Sequence, residues 1–146
     1  SDIWFRPAQY ANGPDGNLYA ADMYREVIEH PDSLPPVIKK HLDLTSGSDR
    51  GRIYRIVAKG TKRRPTPRLG DMSSADLVPL LAHDNAWHRE TAARLLYTRQ
   101  EASVVDALRA MVRTSPSALG RMHALYALAG LNALDVDTVN AAMKDG

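Results

Sequence analysis

Cysteine is absent from all 146 residues. That excludes disulfides, thiolate nucleophiles, thiolate zinc sites and covalent haem attachment through C-x-x-C-H within the chain, and leaves the redox compartment open. No apolar run approaches the ~20 residues needed to span a bilayer, so no membrane insertion by this segment is expected. No basic stretch followed by an apolar core and a cleavage site opens the chain. Acids are missing between Arg50 and Arg68, where eight bases occur. A nucleic-acid groove would need stacking aromatics along that stretch, and only Tyr54 interleaves. The stretch reads as a solvated linker and a polar strand face, with no nucleic-acid partner. There is no Walker loop, no G-x-G-x-x-G, no Ser-His-Asp set and no carboxylate pair at a fixed spacing. No reaction is legible from local motifs.

The sequence changes character near residue 70. Seven of the nine prolines and six of the nine aromatics lie before it, which separates a turn-rich half from a helical one. The net charge of +2 divides unequally, as +4 over residues 1–70 and −2 over residues 71–146. Two joined pieces of different architecture account for this better than one compact domain. The expected class is α+β, a short antiparallel β segment followed by a helical solenoid of about two and a half helix pairs. The boundaries read as 1–58 for the strands and an insertion, 59–72 for a basic Pro-containing linker, and 73–146 for the helices.

Phe5 to Ala11 reads as a strand with Pro7 near its start, as an edge position permits. Asn12-Gly13-Pro14-Asp15-Gly16-Asn17 is a tight reversal: Pro14 pre-sets φ, Asp15 can accept from the backbone that follows, and Gly16 tolerates positive φ. Leu18 to Ala21 completes a hairpin. Met23 to His30 is helical or irregular, and Ser33-Leu34-Pro35-Pro36 can start a short helix through Leu42. Arg52 to Val57 alternates as a third strand, with Ile53, Arg55 and Val57 on one largely apolar face. Three strands do not easily make a stable sheet alone, so the expectation is one blade, or part of one, of something larger.

The helical half has its caps written in it. Ser73 or Ser74 opens a helix through Leu81, and Asn85 opens Ala86–Arg99. Ser103 opens Val104–Arg113, Ser115-Pro116 opens Ser117–Leu131, and Asp135 or Asp137 opens a last helix to the chain end. The second and fourth helices align at an offset of 32 residues: Arg89 with Arg121, Ala92 with Ala124, Leu96 with Leu128. Helix pairs repeating at this period indicate an α-solenoid, its last pair half present.

GPDGNLYAADMYREVIEH (13–30) followed by DRGRIYRI (49–56) resembles the closing blade of a sugar-dehydrogenase-like β-propeller. The proteins concerned are the planctomycete-type predicted membrane-bound dehydrogenases. LLAHDNAWHRETAARLLYTR (80–99) resembles the HEAT-type repeat that follows the propeller in that family. The resemblance implies an exported, periplasmic or membrane-associated parent, with a quinone and/or haem c as its cofactors and none in this segment. It implies a non-catalytic C-terminal fragment whose helices act as scaffold or docking surface. The partner would be a protein or the remainder of the parent chain. Two alternatives stand beside it: part of a quinoprotein-type sugar or alcohol dehydrogenase active in the intact parent, and a free-standing protein-binding helical-repeat module.

Asp22, Tyr24, Arg25 and His30 leave the second strand where a propeller can carry its site. Arg25 can fork onto a carboxylate, phosphate or quinone oxygen, and His30 can act as base or ligand. Asp22 and Arg25 serve equally well as turn and ion-pair residues, Asp22 on turn amides and Arg25 on Glu26, Glu29 or Asp49. His83 and His88 are five apart across a helix break, unlike the two-His spacing of a zincin, and no metal is expected. His123 reads as a packed histidine at the edge of the core. Trp87, Arg89 and Arg121 are the candidates for a partner surface, although recurrence of the arginines also suits bonding to carbonyls.

Overall fold

The computed structural model describes residues 3–28, 30–62 and 65–144. It is an α+β chain that separates into two compact units, Ser1–Arg64 and Pro65–Gly146.

The first unit is a three-stranded antiparallel sheet in the order β1 (Pro7–Asn12), β2 (Leu18–Asp22), β3 (Arg52–Ile56). Tyr10 and Tyr54 flank Ala20 in register, and Pro7 and Arg52 flank Asp22, with an irregularity in β1 between Pro7 and Gln9. The β1–β2 reversal closes by Gly13 N donating to Asn17 O at 2.8 Å. Gly16 sits at φ 80°, a conformation that carries no Cβ penalty only for glycine. The long insertion between β2 and β3 is mostly irregular, with α1 limited to Pro36–Lys39.

The interior of this unit is small and polar. Asp15, Asn17 and Asp22 are buried, and Ala20 is the buried apolar side chain among them. The apolar face expected on the third strand is not covered: Ile53 is 74% exposed and Val57 is also exposed, as is Ile56 on the opposite face. Alternation places Ile53 and Val57 on a face, but burying it requires a second layer. Among the described residues no such layer lies over the strand.

The second unit holds the apolar core. α2 (Ser74–Leu77) runs into a 3-10 turn, Val78–Ala82. The helix expected to reach Leu81 therefore changes type at Val78, where Pro79 lacks the amide an α-helix would use. α3 (Ala86–Arg99), α4 (Val105–Thr114), α5 (Ala118–Gly130) and α6 (Val136–Ala142) follow. Leu77, Leu81, Leu96, Leu108 and Leu128 are fully buried between them. Each such burial is worth roughly 1.5–3 kcal/mol.

Three side-chain caps fall on sequence-expected residues. Ser73 Oγ accepts from Asp76 N at 3.2 Å, Asn85 Oδ1 from Trp87 N at 3.0 Å, and Asp135 Oδ1 from Thr138 N at 2.8 Å. Ser117, at the head of the expected fourth helix, caps α5 by accepting from Gly120 N at 3.1 Å. Ser103 does not cap. It lies inside a 3-10 turn, Ala102–Val104, and the N-cap of α4 is Val104, which makes no side-chain cap bond. Val104 is buried in the core, so apolar packing decides this helix start. Of the segment read as linker, Leu69 is also buried in the helical core. Arg99 donates to Met72 O at 2.7 Å and Gly70 O at 2.9 Å.

α2 with its 3-10 turn and α3 form one helical hairpin, α4 and α5 the next, and the second helices of the two repeat in structure as well as in sequence. His83 Nδ1 accepts from Asn85 N, and 32 residues on Ser115 Oγ accepts from Ser117 N. Asn85 and Ser117 are both caps, and Ala92/Ala124 and Leu96/Leu128 are both buried pairs. Gln100 and Asn132 end their helices at φ 52° and 53°, the left-handed terminator.

Candidate functional site

Asp22 ends β2 at 3% exposure. Its Oδ1 accepts from Arg6 N at 2.8 Å and Tyr24 N at 2.9 Å, and Met23 N donates back to Arg6 O. The carboxylate thus ties the first strand's entry to the second strand's exit. Oδ2 is buried with no hydrogen-bond partner among the described residues. Tyr24 takes φ 48°, unusual for a bulky side chain. Its ring receives the Arg52 guanidinium at 3.8 Å and lies against Trp4.

Arg25 Nη2 donates to Leu44 O at 2.7 Å, which anchors the insertion, while its buried Nε has no partner among the described residues. The charge near Arg25 is Asp43. That carboxyl is held below its usual range first by hydrogen bonding from Thr45, with a smaller contribution from Arg25 itself. Of the acids expected to pair with Arg25, Glu29 lies outside the described residues. His30 stands apart, 74% exposed, accepting at Nδ1 from Asp32 N at 3.2 Å. Asp22 and Arg25 therefore serve the local backbone.

The most perturbed group of this unit is Asp15, a residue that sequence reasoning assigned only to the turn. Asn17 N donates to its Oδ1 at 3.1 Å, Tyr19 OH to its Oδ2 at 3.0 Å, and Arg55 reaches Oδ2 at 3.4 Å from β3. Hydrogen bonding by Asn17, helped by Tyr19 and Arg55 and opposed by burial, lowers its pKa to about 2. The signal available in sequence was the alternation that puts Tyr19 and Arg55 on one face, opposite each other in register.

In the helical unit, Arg89 Nη1 donates to His83 O at 2.7 Å and Asp84 O at 2.8 Å, and Arg121 Nη1 donates to Ser115 O at 2.7 Å. Both bind the carbonyl six residues back, at the turn that precedes their helix. Trp87 is partly buried against the core with its ring edge-on to His88. His88 is itself buried and stacks on His83 with ring centroids 4.1 Å apart. His123 is half-buried; burial, then the Arg89 charge, push its imidazole below the usual 6.5, against Glu90.

Among the described residues no group of three or more His, Cys, Asp or Glu is placed to hold a metal ion. No helix among them is long and apolar enough to cross a membrane. An apolar groove of about 330 Å3 on α5 is lined by Met122, Leu125, Tyr126, Ala129 and Leu134. It is absent from the expected sites, because it forms where one face of α5 meets Leu134 of the loop that follows.

Residues 1–60 match a family described as a domain of unknown function (DUF7133). No curated protein and no solved structure matches the chain.

Proposed function

We propose that this chain is a non-catalytic scaffold piece of a larger exported, oxidoreductase-like protein. In this reading the sheet is part of a propeller blade, and the helices are HEAT-type repeats that act as a docking surface. The observation that carries it is the sheet's lack of an apolar interior: it buries Ala20 but leaves Ile53, Ile56 and Val57 in solvent. A sheet of three strands with one apolar side chain buried is poorly stabilised unless further structure covers it. The engagement of Asp22 and Arg25 with backbone groups supports a structural role for both. So does the repetition of the arginine staples in the helical unit.

One observation favours an enzymatic reading of the intact parent. Asp22 Oδ2 and Arg25 Nε are buried and unpartnered among the described residues, and groups in that state suit a ligand. The assay that separates the readings supplies pyrroloquinoline quinone, a panel of sugars and alcohols, and a dye acceptor. The scaffold reading expects no dye reduction above background from the purified chain. Turnover that is lost in Asp22→Ala and Arg25→Ala would sink it.

A further inference from the structure

The turn that launches α3 is tied by a side chain that can take up a proton. His83 follows the 3-10 turn in extended conformation. Its Nδ1 accepts from Asn85 N at 2.9 Å, and Asn85 Oδ1 in turn accepts from Trp87 N at 3.0 Å. A ring nitrogen that accepts from an amide carries no proton, so the neutral ring holds its hydrogen on Nε2. The His88 ring lies on the His83 ring, with 4.1 Å between centroids and 17° between planes, and Trp87 stands edge-on to His88. In the next hairpin the same turn is built without a histidine. Ser115 Oγ accepts from Ser117 N at 3.3 Å, Ser117 Oγ accepts from Gly120 N at 3.1 Å, and Gly120 takes the place of His88.

Histidine is the side chain whose charge changes between roughly pH 8 and 5. A proton on His83 Nδ1 turns the acceptor into a donor and leaves Asn85 N facing an N–H. The new charge falls at the N-terminus of α3, where the helix dipole is already positive. It also falls on the residue whose carbonyl the Arg89 guanidinium holds. The other charged or titratable groups on the elements packed against this turn are Asp84 in the loop, Glu90 with Arg94 and Arg99 further along α3, Asp76 of α2, and Arg121 and His123 of α5. Asp76 accepts from Ser73 Oγ, and Arg121 donates to Ser115 O. Among the described residues no carboxylate pairs with His83 to meet its charge. His30 makes the contrast: its Nδ1 accepts from Asp32 N across the same spacing, but the Asp32 carboxylate stands 4.0 Å from that nitrogen.

We infer that the turn before α3 is a proton-released latch: protonation of His83 parts Nδ1 from Asn85 N, breaks the stack on His88 and frees the first turn of α3 with Trp87, while the serine-built turn before α5 holds. Acid thereby loosens one hairpin of the helical unit and spares the other. The latch holds whether or not the chain is a scaffold.

The test follows the full isotope-labelled chain by NMR. Above pH 7 the neutral His83 ring should carry its proton on Nε2. Between pH 7 and pH 5 the hydrogen-exchange protection of the Asn85 and Trp87 amides should fall roughly tenfold or more, while that of Ser117 and Gly120 stays within about twofold. His83→Ser, which copies the turn before α5, should abolish the fall. His123→Gln should leave it in place, which separates the latch from the pH dependence of the whole helical unit. Three results overturn the inference: a neutral ring with its proton on Nδ1, an equal fall in His83→Ser, or an equal fall at Ser117 and Gly120. The first and third are read on the wild-type chain, so they decide even if His83→Ser does not fold.

Discussion

Arg89 and Arg121 make the same bond in successive hairpins. Each Nη1 donates at 2.7 Å to the carbonyl six residues upstream, His83 O in one case and Ser115 O in the other. A guanidinium on that carbonyl pins the helix to the turn that launches it. Replacing either arginine by methionine keeps the apolar stem and removes the charged donor. Each substitution should cost about 1.5–3 kcal/mol, read as a lower urea midpoint at unchanged slope. An unchanged midpoint for both would show the staples to be idle.

Gly120 occupies the position that His88 holds in the preceding hairpin. A Cβ there would stand 2.8 Å from Ala82 Cβ and 3.3 Å from Ala82 Cα, which cannot swing away. Helix propensity favours Gly120→Ala by about 1 kcal/mol, but overpacking against backbone costs typically 1–3 kcal/mol. Net destabilisation is expected, with part of it recovered in Gly120→Ala combined with Ala82→Gly. A single variant that melts higher than wild type would refute the close approach.

Asp15 is the acid-sensitive lock of the sheet. Its folded pKa of about 2 lies below the ordinary 3.8, so its contribution is complete above 3.8 and lost as pH falls towards 2. Carboxyl titration by NMR should find the Asp15 midpoint at about 2, below the ordinary 3.8. Trp4 fluorescence should show the sheet loosening across that window, less steeply in Asp15→Asn. A titration midpoint at or above 3.8 would contradict the bonding described.

His123 gives the helical unit a second pH dependence at higher pH. Burial and Arg89 hold its folded pKa below 6.5, so the unfolded chain takes up the proton first. Stability from this group is full above 6.5 and declines as pH drops below it. His123→Gln should flatten the urea midpoint between pH 7 and pH 5. An equal slope in the variant would assign the dependence to other groups.

Asp22→Asn tests which of its oxygens matters. The amide oxygen can still accept from Arg6 N and Tyr24 N, so the sheet should survive, whereas Asp22→Ala removes both bonds. The alanine variant should lose about 1–3 kcal/mol, with hydrogen exchange rising at those two amides. Equal exchange in both variants would mean that the carboxylate is not the tie between the strands.

Local chemistry was legible wherever one residue acts on its near neighbours. The caps at Ser73, Asn85 and Asp135, the Asp15 turn with Gly16, and the 32-residue recurrence of Arg89, Ala92 and Leu96 need only a few consecutive residues to specify them. Two expectations failed where a distant neighbour or a backbone detail intervened. Ser103 yielded to Val104 because core packing outweighs a cap worth about 1 kcal/mol. The helix to Leu81 tightened after Leu77 because Pro79 has no amide to give. For the candidate site, the sequence put Asp22 at the end of β2 on a turn amide, as the Tyr24 N bond has it, but did not give the more distant partners of Asp22 and Arg25. Those partners, Arg6 and Leu44, lie 16 and 19 residues away.

By itself, then, the amino-acid order determined the α+β division, most helix starts and the repeat period, since each follows from backbone preferences and local bonds. Only the tertiary structure decided that the sheet encloses Asp15, Asn17 and Asp22 rather than an apolar core. It also decided that Met122, Leu125 and Ala129 converge into a groove instead of being covered. Periodicity places a side chain on a face, but whether that face is buried depends on what packs against it, and that is settled by contacts between residues far apart in the chain.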